Sequence, residues 1–108
     1  MNLHLSQSDG FLRVAAASPQ IRVADVEGNA EVALAAVRDA AERGVRALAL
    51  PELNLTGYTA ADLFHNRTLL HACEAALEFI LDETRELPIV FTVGLPVAVA
   101  ENIYNCAA

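Results

Sequence analysis

The sequence contains no lysine and no tryptophan, and all seven of its basic residues are arginine. Its 14 acidic residues outnumber them, so the formal net charge is −7 at pH 7. Because there is no basic stripe, a phosphate backbone would be repelled, which argues against a nucleic-acid partner. The same charge disfavours binding to an anionic membrane surface.

Cysteines and targeting segments are also scarce. There are two cysteines, Cys73 and Cys106, and the first ten residues have neither the basic nor the apolar region of a signal peptide. A disulfide framework is therefore not expected. No apolar run approaches the length of a membrane span. These absences predict a cytoplasmic protein with no membrane partner.

Apolar residues are abundant, at 55% of the 108 residues, which is enough to build a core rather than a disordered chain. Short apolar runs alternate with longer segments of helical periodicity. The predicted order is a strand over 11–17, a helix over 30–43, a strand over 45–50, a helical turn over 62–64, a helix over 68–87, a strand over 89–94 and a further strand beginning at 103.

Each long helix has a predicted cap and a predicted apolar face. Asn29 is expected to cap the first helix and Thr68 the second, because both side chains accept hydrogen bonds from free backbone N–H groups. The faces expected to be buried consist of Ala30, Ala33, Leu34, Val37 and Ala41 in the first helix, and Leu70, Cys73, Leu77, Ile80 and Leu81 in the second.

The alternation of strands and helices indicates an α/β fold. The last predicted strand is still in progress at residue 108, which is unusual for a complete domain, and an unpaired strand edge invites aggregation. We therefore expect residues 1–108 to be the N-terminal portion of a larger α/β domain. A small complete domain of three strands and two helices is the alternative.

Glu52 is the most informative residue for chemistry. It follows an apolar strand directly, and catalytic groups of α/β proteins gather at the carboxyl ends of strands. With leucines on both sides, we expect its carboxylate to be partly desolvated, which would favour work as a general base near neutral pH. The alternative is a solvated glutamate at a strand end, where most glutamates are exposed.

The residues around Glu52 carry a family resemblance. Pro51-Glu52-Leu53 followed by Leu55-Thr56-Gly57-Tyr58 resembles the first active-site motif of the nitrilase-like carbon–nitrogen hydrolases. The resemblance extends from Phe11 to the end of the chain. Its further matches are Arg13-Val14-Ala15 in the first strand, Asn29 at the first helix, Val93-Gly94-Leu95-Pro96 after the third strand, and Ile103-Tyr104-Asn105.

The resemblance implies a partial nitrilase-like αββα sandwich, with two facing sheets and helices outside, which family members pair into homo-oligomers. It also implies a catalytic glutamate, lysine and cysteine. The cysteine forms a thioester with the substrate, the glutamate takes the thiol proton and later activates water, and the lysine helps stabilise the oxyanion.

Only part of that site can be assigned to this sequence. Glu52 matches the catalytic glutamate, and Tyr58 is expected to line the substrate pocket or its exit, with a surface loop tyrosine as the alternative. The family's lysine and cysteine come after position 108. Cys73 and Cys106 are accordingly expected to be core thiols.

Within the family, residues 56–64 and the leucines at 69 and 70 look most like glutamine-dependent NAD synthetases. That likeness implies glutamine, or another small amide, as substrate. The released ammonia would pass to a second domain that uses ATP and Mg to amidate deamido-NAD. In this chain itself we expect no cofactor and no metal, since Gly57 lacks phosphate-loop spacing and His65 and His71 do not share a helical face.

Two other functions remain open at this point. The chain could belong to a stand-alone amidase or nitrilase of the same family. It could also be a non-catalytic remnant that binds a partner through its open sheet edge, since it holds no lysine and no suitably placed cysteine.

Overall fold

The computed structural model describes residues 10–108, apart from the side chains of residues 61 and 62. The prediction that no signal peptide is present concerns residues 1–10, of which 1–9 lie outside this part. Among the described residues, none of the helices has the length and apolar character needed to span a membrane.

Two helices and two small sheets make up the described chain, in agreement with the predicted α/β class. Strands β1, β2 and β3 form a parallel sheet in that order, and β4 and β5 form an antiparallel hairpin. The elements are β1 Val14–Ala16, α1 Val26–Glu42, β2 Ala47–Ala49, a short 3₁₀ helix Ala61–His65, α2 Arg67–Thr84, β3 Val90–Thr92, β4 Gly94–Val99 and β5 Asn102–Ala107.

The core lies between the parallel sheet and the helix pair formed by α1 and α2. Leu48, in the middle of the central strand β2, is buried in it, and its neighbours in register, Ala15 and Phe91, pack against it. Successive residues of a strand point to opposite faces, so Val14 and Val90 lie on the other face. They are 65% and 75% exposed, so the parallel sheet has one apolar face that no described residue covers.

Helix α1 begins at Val26, four residues before the predicted start. Its cap is Asp25, whose Oδ1 accepts a hydrogen bond from the backbone N–H of Gly28 at 3.1 Å. The prediction that Asn29 caps this helix was wrong. Asn29 lies in the first turn and is buried, where its amide bonds to the backbone of other segments rather than to the end of its own helix.

Helix α2 also starts slightly earlier than predicted. The Asn66 side chain accepts a hydrogen bond from the Thr68 N–H at 2.8 Å, so Asn66 is the cap and Thr68 provides the N–H that is capped. The helix ends at Thr84, before the predicted end at 87, and the Thr84 hydroxyl donates to the Ile80 carbonyl at 2.7 Å. Threonine hydroxyls in helices commonly donate to the carbonyl four residues earlier.

The predicted apolar faces are largely buried, with two exceptions. In α2, Leu81 is 61% exposed, and that part of the prediction was wrong because the helix turns its Ile80 and Thr84 side toward the core. In α1, Ala40 rather than Ala41 is buried at the end of the face.

The predicted third strand over 89–94 is in fact divided between two sheets. β3 ends at Thr92, and Val93 exchanges a pair of backbone hydrogen bonds with Ala108, at 3.0 and 2.9 Å. The chain therefore leaves the parallel sheet at Val93 and enters the hairpin of β4 and β5. The strand predicted to begin at 103 is confirmed as β5.

Candidate active site

Glu52 lies just beyond the carboxyl end of β2, the central strand of the parallel sheet. Leu50, Leu53 and Leu55 around it are buried, whereas Glu52 is exposed. The expectation that leucine neighbours would desolvate the carboxylate was wrong for the described chain, because these leucines turn inward to the core while Glu52 faces outward. The position at the strand end is the predicted one.

A tight turn follows Glu52 and fixes its backbone. Leu53 adopts a left-handed conformation with φ +49°, which costs a non-glycine residue about 1–2 kcal/mol. Its carbonyl accepts hydrogen bonds from the N–H groups of Thr56, at 3.2 Å, and Gly57, at 2.8 Å. Gly57 has φ +85°, and a Cβ there would lie 3.3 Å from the Cα of Val23. The turn therefore requires glycine at position 57.

Three neighbouring segments hold this turn in place. The Ala24 N–H donates to the Thr56 carbonyl at 2.7 Å, and the Asn29 amide donates to the Leu55 carbonyl at 3.0 Å. From the other side, the Leu55 N–H donates to the Gly94 carbonyl at 3.1 Å. The segment after Glu52 is thus bonded to the entry loop of α1, to α1 itself and to β4.

Gly94, the first residue of β4, lies directly against the Glu52 segment. A Cβ at this position would be 2.6 Å from the Pro51 carbonyl oxygen and 3.0 Å from the Glu52 carbonyl carbon, and closer still to the Leu53 nitrogen. Real Cβ atoms essentially never approach backbone so closely. Only glycine allows the hairpin to sit at this distance from Glu52.

The hairpin also supplies the hydrogen-bond partner of Glu52. In β5, Asn105 is paired with Pro96 of β4, and its Nδ2 donates to Oε1 of Glu52. Within the described part of the chain no hydrogen bond reaches the second carboxylate oxygen, Oε2, which can accept a proton or a further hydrogen bond. Sequence reasoning placed Asn105 in a family motif without assigning it a role, because nothing in the spacing shows that two residues 53 positions apart meet.

A cleft of about 290 Å³ lies on the other side of Asn105; Leu53 and Asn105 border it, and Glu52 does not. Its volume is close to the lower end of the range for small-molecule sites. The residues around it are Leu53, Phe64, His65, Pro96, Ile103, Tyr104 and Asn105.

Tyr58 directly follows the Gly57 turn and is 71% exposed. It is not among the residues that border the cleft beside Asn105. In the described chain it is a surface residue of the loop that carries Glu52, and its part in substrate binding stays a prediction.

The two cysteines differ in their surroundings. Cys73 is fully buried on α2, as predicted, and burial raises the pKa of its thiol to about 11, with a smaller contribution from the nearby charge of Glu74. A thiol with so high a pKa is a poor nucleophile near neutral pH. Cys106 is half-buried in β5, opposite Leu95, so the prediction of a core thiol holds for it only in part.

Metal-ligating side chains are scattered over the described residues. His71 lies near Glu74 on the exposed side of α2, with 3.7 Å between Nδ1 and Oε2, while His65 borders the cleft. Within residues 10–108, leaving aside the side chains at 61 and 62, no three His, Cys, Asp or Glu side chains come together in a way that could hold an ion.

Curated proteins with sequences similar to this chain include glutamine-dependent NAD(+) synthetases. The chain is 35% identical to that enzyme from Mycobacterium tuberculosis over 107 residues, which is 99% of this chain and 16% of the relative. It is 35% identical to that from Aquifex aeolicus over 98 residues, or 91% of this chain and 17% of the relative. The chain therefore spans about a sixth of the length of the curated relatives it matches.

Solved structures that superpose on this chain include an enzyme of the same kind and an amidase. A glutamine-dependent NAD(+) synthetase from Cytophaga hutchinsonii superposes with a TM-score of 0.82 at 30% identity, covering 89% of this chain and 16% of that one. An amidase from Nesterenkonia sp. superposes with a TM-score of 0.64 at 25% identity, covering 79% and 32%. The family model for carbon–nitrogen hydrolases matches residues 13–108. The chain belongs to the carbon–nitrogen hydrolase family and has part of its nitrilase-like α/β fold.

Proposed function

We propose that this chain is the N-terminal portion of the glutaminase domain of a glutamine-dependent NAD synthetase, with Glu52 as its general base. The observation that carries the proposal is the placement of Glu52. Its carboxylate stands at the carboxyl end of the central strand, on a turn that three segments hold in place. The similarity to NAD synthetases over 99% of the chain supports the choice of reaction.

In the proposed reaction a cysteine thiolate attacks the carboxamide carbon of glutamine. Glu52 takes the thiol proton and passes it to the departing ammonia as the C–N bond breaks and a thioester forms. Glu52 then takes a proton from the water that attacks the thioester; the C–S bond breaks, the proton passes to the departing cysteine sulfur, and glutamate is released. A lysine ammonium stabilises the oxyanion in both steps.

The cysteine and the lysine of this scheme come from outside the 108 residues. The sequence has no lysine; Cys73 is buried with its pKa raised to about 11, and Cys106 points to the face of β5 opposite that of Asn105, the partner of Glu52. The proposal therefore makes the chain inactive by itself and catalytic only within a longer protein.

The similarity to glutamine-dependent NAD(+) synthetases supports a small amide, glutamine, as the substrate. Tyr58, on the anchored loop that carries Glu52, is proposed to line the substrate pocket or its exit. The ammonia acceptor, ATP and Mg are assigned to a second domain, in a cytoplasmic homo-oligomer.

A stand-alone amidase is the second candidate. The observation that favours it is the likeness to the Nesterenkonia amidase, of which this chain covers 32%. The two candidates share the chemistry at Glu52 and differ in the fate of the ammonia.

The test is to isolate the natural protein that contains this sequence, to measure its intact mass, and to assay it with ATP, Mg and deamido-NAD. We expect a mass far above 11.5 kDa and NAD formation with either glutamine or ammonia. Amide hydrolysis without NAD formation would identify the stand-alone amidase. A product of 11.5 kDa in a defined complex would contradict the proposal and favour a binding module.

A further inference from the structure

Asn105 and Glu52 meet although 53 positions separate them in the sequence. Their contact joins the hairpin to the loop that follows the parallel sheet. The amide Nδ2 of Asn105 donates to one carboxylate oxygen of Glu52, and both side chains are exposed in the described chain. An exposed pair of this kind persists only if the backbone on both sides holds it in register.

Strand β4 holds both the backbone around Glu52 and the backbone around Asn105. Gly94 packs against the Glu52 segment and its carbonyl accepts the Leu55 N–H at 3.1 Å. The same strand pairs with β5, so that Gly94 faces Ala107 and Pro96 faces Asn105. The position of Asn105 relative to Glu52 is therefore set by close backbone contacts rather than by the two side chains alone.

The amide of Asn105 is well suited to orient the carboxylate of Glu52. A glutamate side chain turns about three torsions, and a fixed donor on one oxygen selects a single orientation of the carboxylate. An amide is neutral and does not titrate, so it aligns the carboxylate without forming the ion pair that an arginine would form. Because the Asn105 donor fixes Oε1, the other oxygen, Oε2, also points in a defined direction, from which it can accept a proton.

We infer that Asn105 is a positioning residue for Glu52, holding its carboxylate in the orientation from which it accepts the proton of the catalytic thiol. The inference rests on the proposed role of Glu52 as general base. Asn105 acts through Glu52 and contributes no chemistry of its own.

The experiment uses the full-length protein and three variants: Asn105→Ala, Asn105→Asp and Asn102→Asp. Asn102 lies on the same strand, three residues away and therefore on the opposite face, and is exposed, so it matches the change in charge without the contact. The quantities measured are kcat and KM for glutamine and the rate of NAD synthesis from ammonia.

Asn105→Ala is expected to lower kcat for glutamine about 10- to 100-fold, as for the loss of a hydrogen bond to a charged group, with KM and the ammonia rate unchanged. Asn105→Asp has nearly the same shape but places a second carboxylate against Glu52, so we expect a loss at least as large. Asn102→Asp is expected to retain the wild-type values. A kcat within twofold of wild type for Asn105→Asp, or an equal fall in the ammonia rate for Asn105→Ala, would overturn the inference.

A double variant separates this inference from the proposed function. If Asn105 works through Glu52, adding Asn105→Ala to Glu52→Gln lowers the residual glutamine rate no further. Loss of glutamine use in Glu52→Gln with normal kinetics in both Asn105 variants would reject the inference and leave the proposed function standing. Retained glutamine use in Glu52→Gln would reject the proposed function itself.

Discussion

Gly94 lies so close to the backbone at Leu53 that no other residue fits there. A Cβ at Gly94 would overlap the Leu53 nitrogen and come within 2.6 Å of the Pro51 carbonyl oxygen. This contact joins the hairpin of β4 and β5 to the turn after Glu52. The geometry of the candidate site thus depends on Gly94, a residue whose side chain takes no part in the reaction.

Gly94→Ala is expected to push β4 away from the Glu52 turn. We expect a loss of about 1–3 kcal/mol in the free energy of unfolding, typical of overpacking, together with a fall in glutamine-dependent activity. Denaturant unfolding and a glutamine assay of the full-length protein measure both.

Gly44→Ala is the matched control. Gly44 has φ +79°, and the nearest atom to an added Cβ is Arg13 Nη1 at 3.8 Å, so the change costs only backbone strain of about 1–2 kcal/mol and leaves the site intact. Equal activity losses in the two variants would mean that the contact at Gly94 does not shape the site.

Two buried asparagines give a matched pair for stability. The Asn29 side chain accepts from the Arg22 N–H at 2.8 Å, and donates to the Arg22 carbonyl at 2.7 Å and to the Leu55 carbonyl at 3.0 Å. Asn54 is just as deeply buried, but its amide has no hydrogen-bond partner among the described residues.

Asn29→Leu is therefore expected to lower the free energy of unfolding by about 2–4 kcal/mol, because it leaves buried backbone groups unpaired. Asn54→Leu, of similar volume, is expected to be neutral or stabilising, because it removes an unpaired buried amide. Denaturant midpoints of the full-length variants measure the difference. Equal losses for the two would show that Asn54 has a partner equivalent to those of Asn29.

Cys73 is expected to resist alkylation in the folded protein. Its pKa is raised to about 11 by burial, so at pH 8 only about one molecule in a thousand carries the thiolate, and the sulfur is not accessible. Iodoacetamide labelling followed by peptide mass spectrometry should find Cys73 unmodified until the protein is denatured. Rapid labelling of the native protein would contradict the burial, and a Cys73→Ala variant that lost glutamine use would contradict its exclusion as nucleophile.

Local patterns predicted the two long helices and four of the five strands in the right order, but not β4 as a separate strand. The apolar runs around Ala15, Leu48 and Phe91 became the three parallel strands, and helical periodicity located most of the buried face of α1 and α2. These features depend on neighbouring residues, which a single sequence displays directly. Helix starts were less accurate, because the Asn29 side chain bonds to the Leu55 carbonyl instead of capping α1, and at α2 the cap is Asn66, which bonds the backbone N–H of Thr68.

The site was predicted less completely than the fold. The motif located Glu52, but its exposure depends on where the leucines around it turn, and its bond to Asn105 depends on the pairing of β4 with β5. The close approach of Gly94 is equally invisible in the sequence, where it reads as an ordinary strand-end glycine. Contacts between distant segments are set by the assembled fold and not by any local pattern.

The central claim is tested most directly by Glu52→Gln in the full-length protein, with NAD synthesis measured from glutamine and from ammonia. Glutamine keeps the shape of the side chain and an oxygen for the Asn105 amide, but removes the basic carboxylate. Glu86→Gln, an exposed glutamate beyond α2, is the control for the loss of charge. The account predicts that only Glu52→Gln reduces synthesis from glutamine to a small residual rate, and that both variants keep synthesis from ammonia. Glutamine use by Glu52→Gln at the wild-type rate would contradict it.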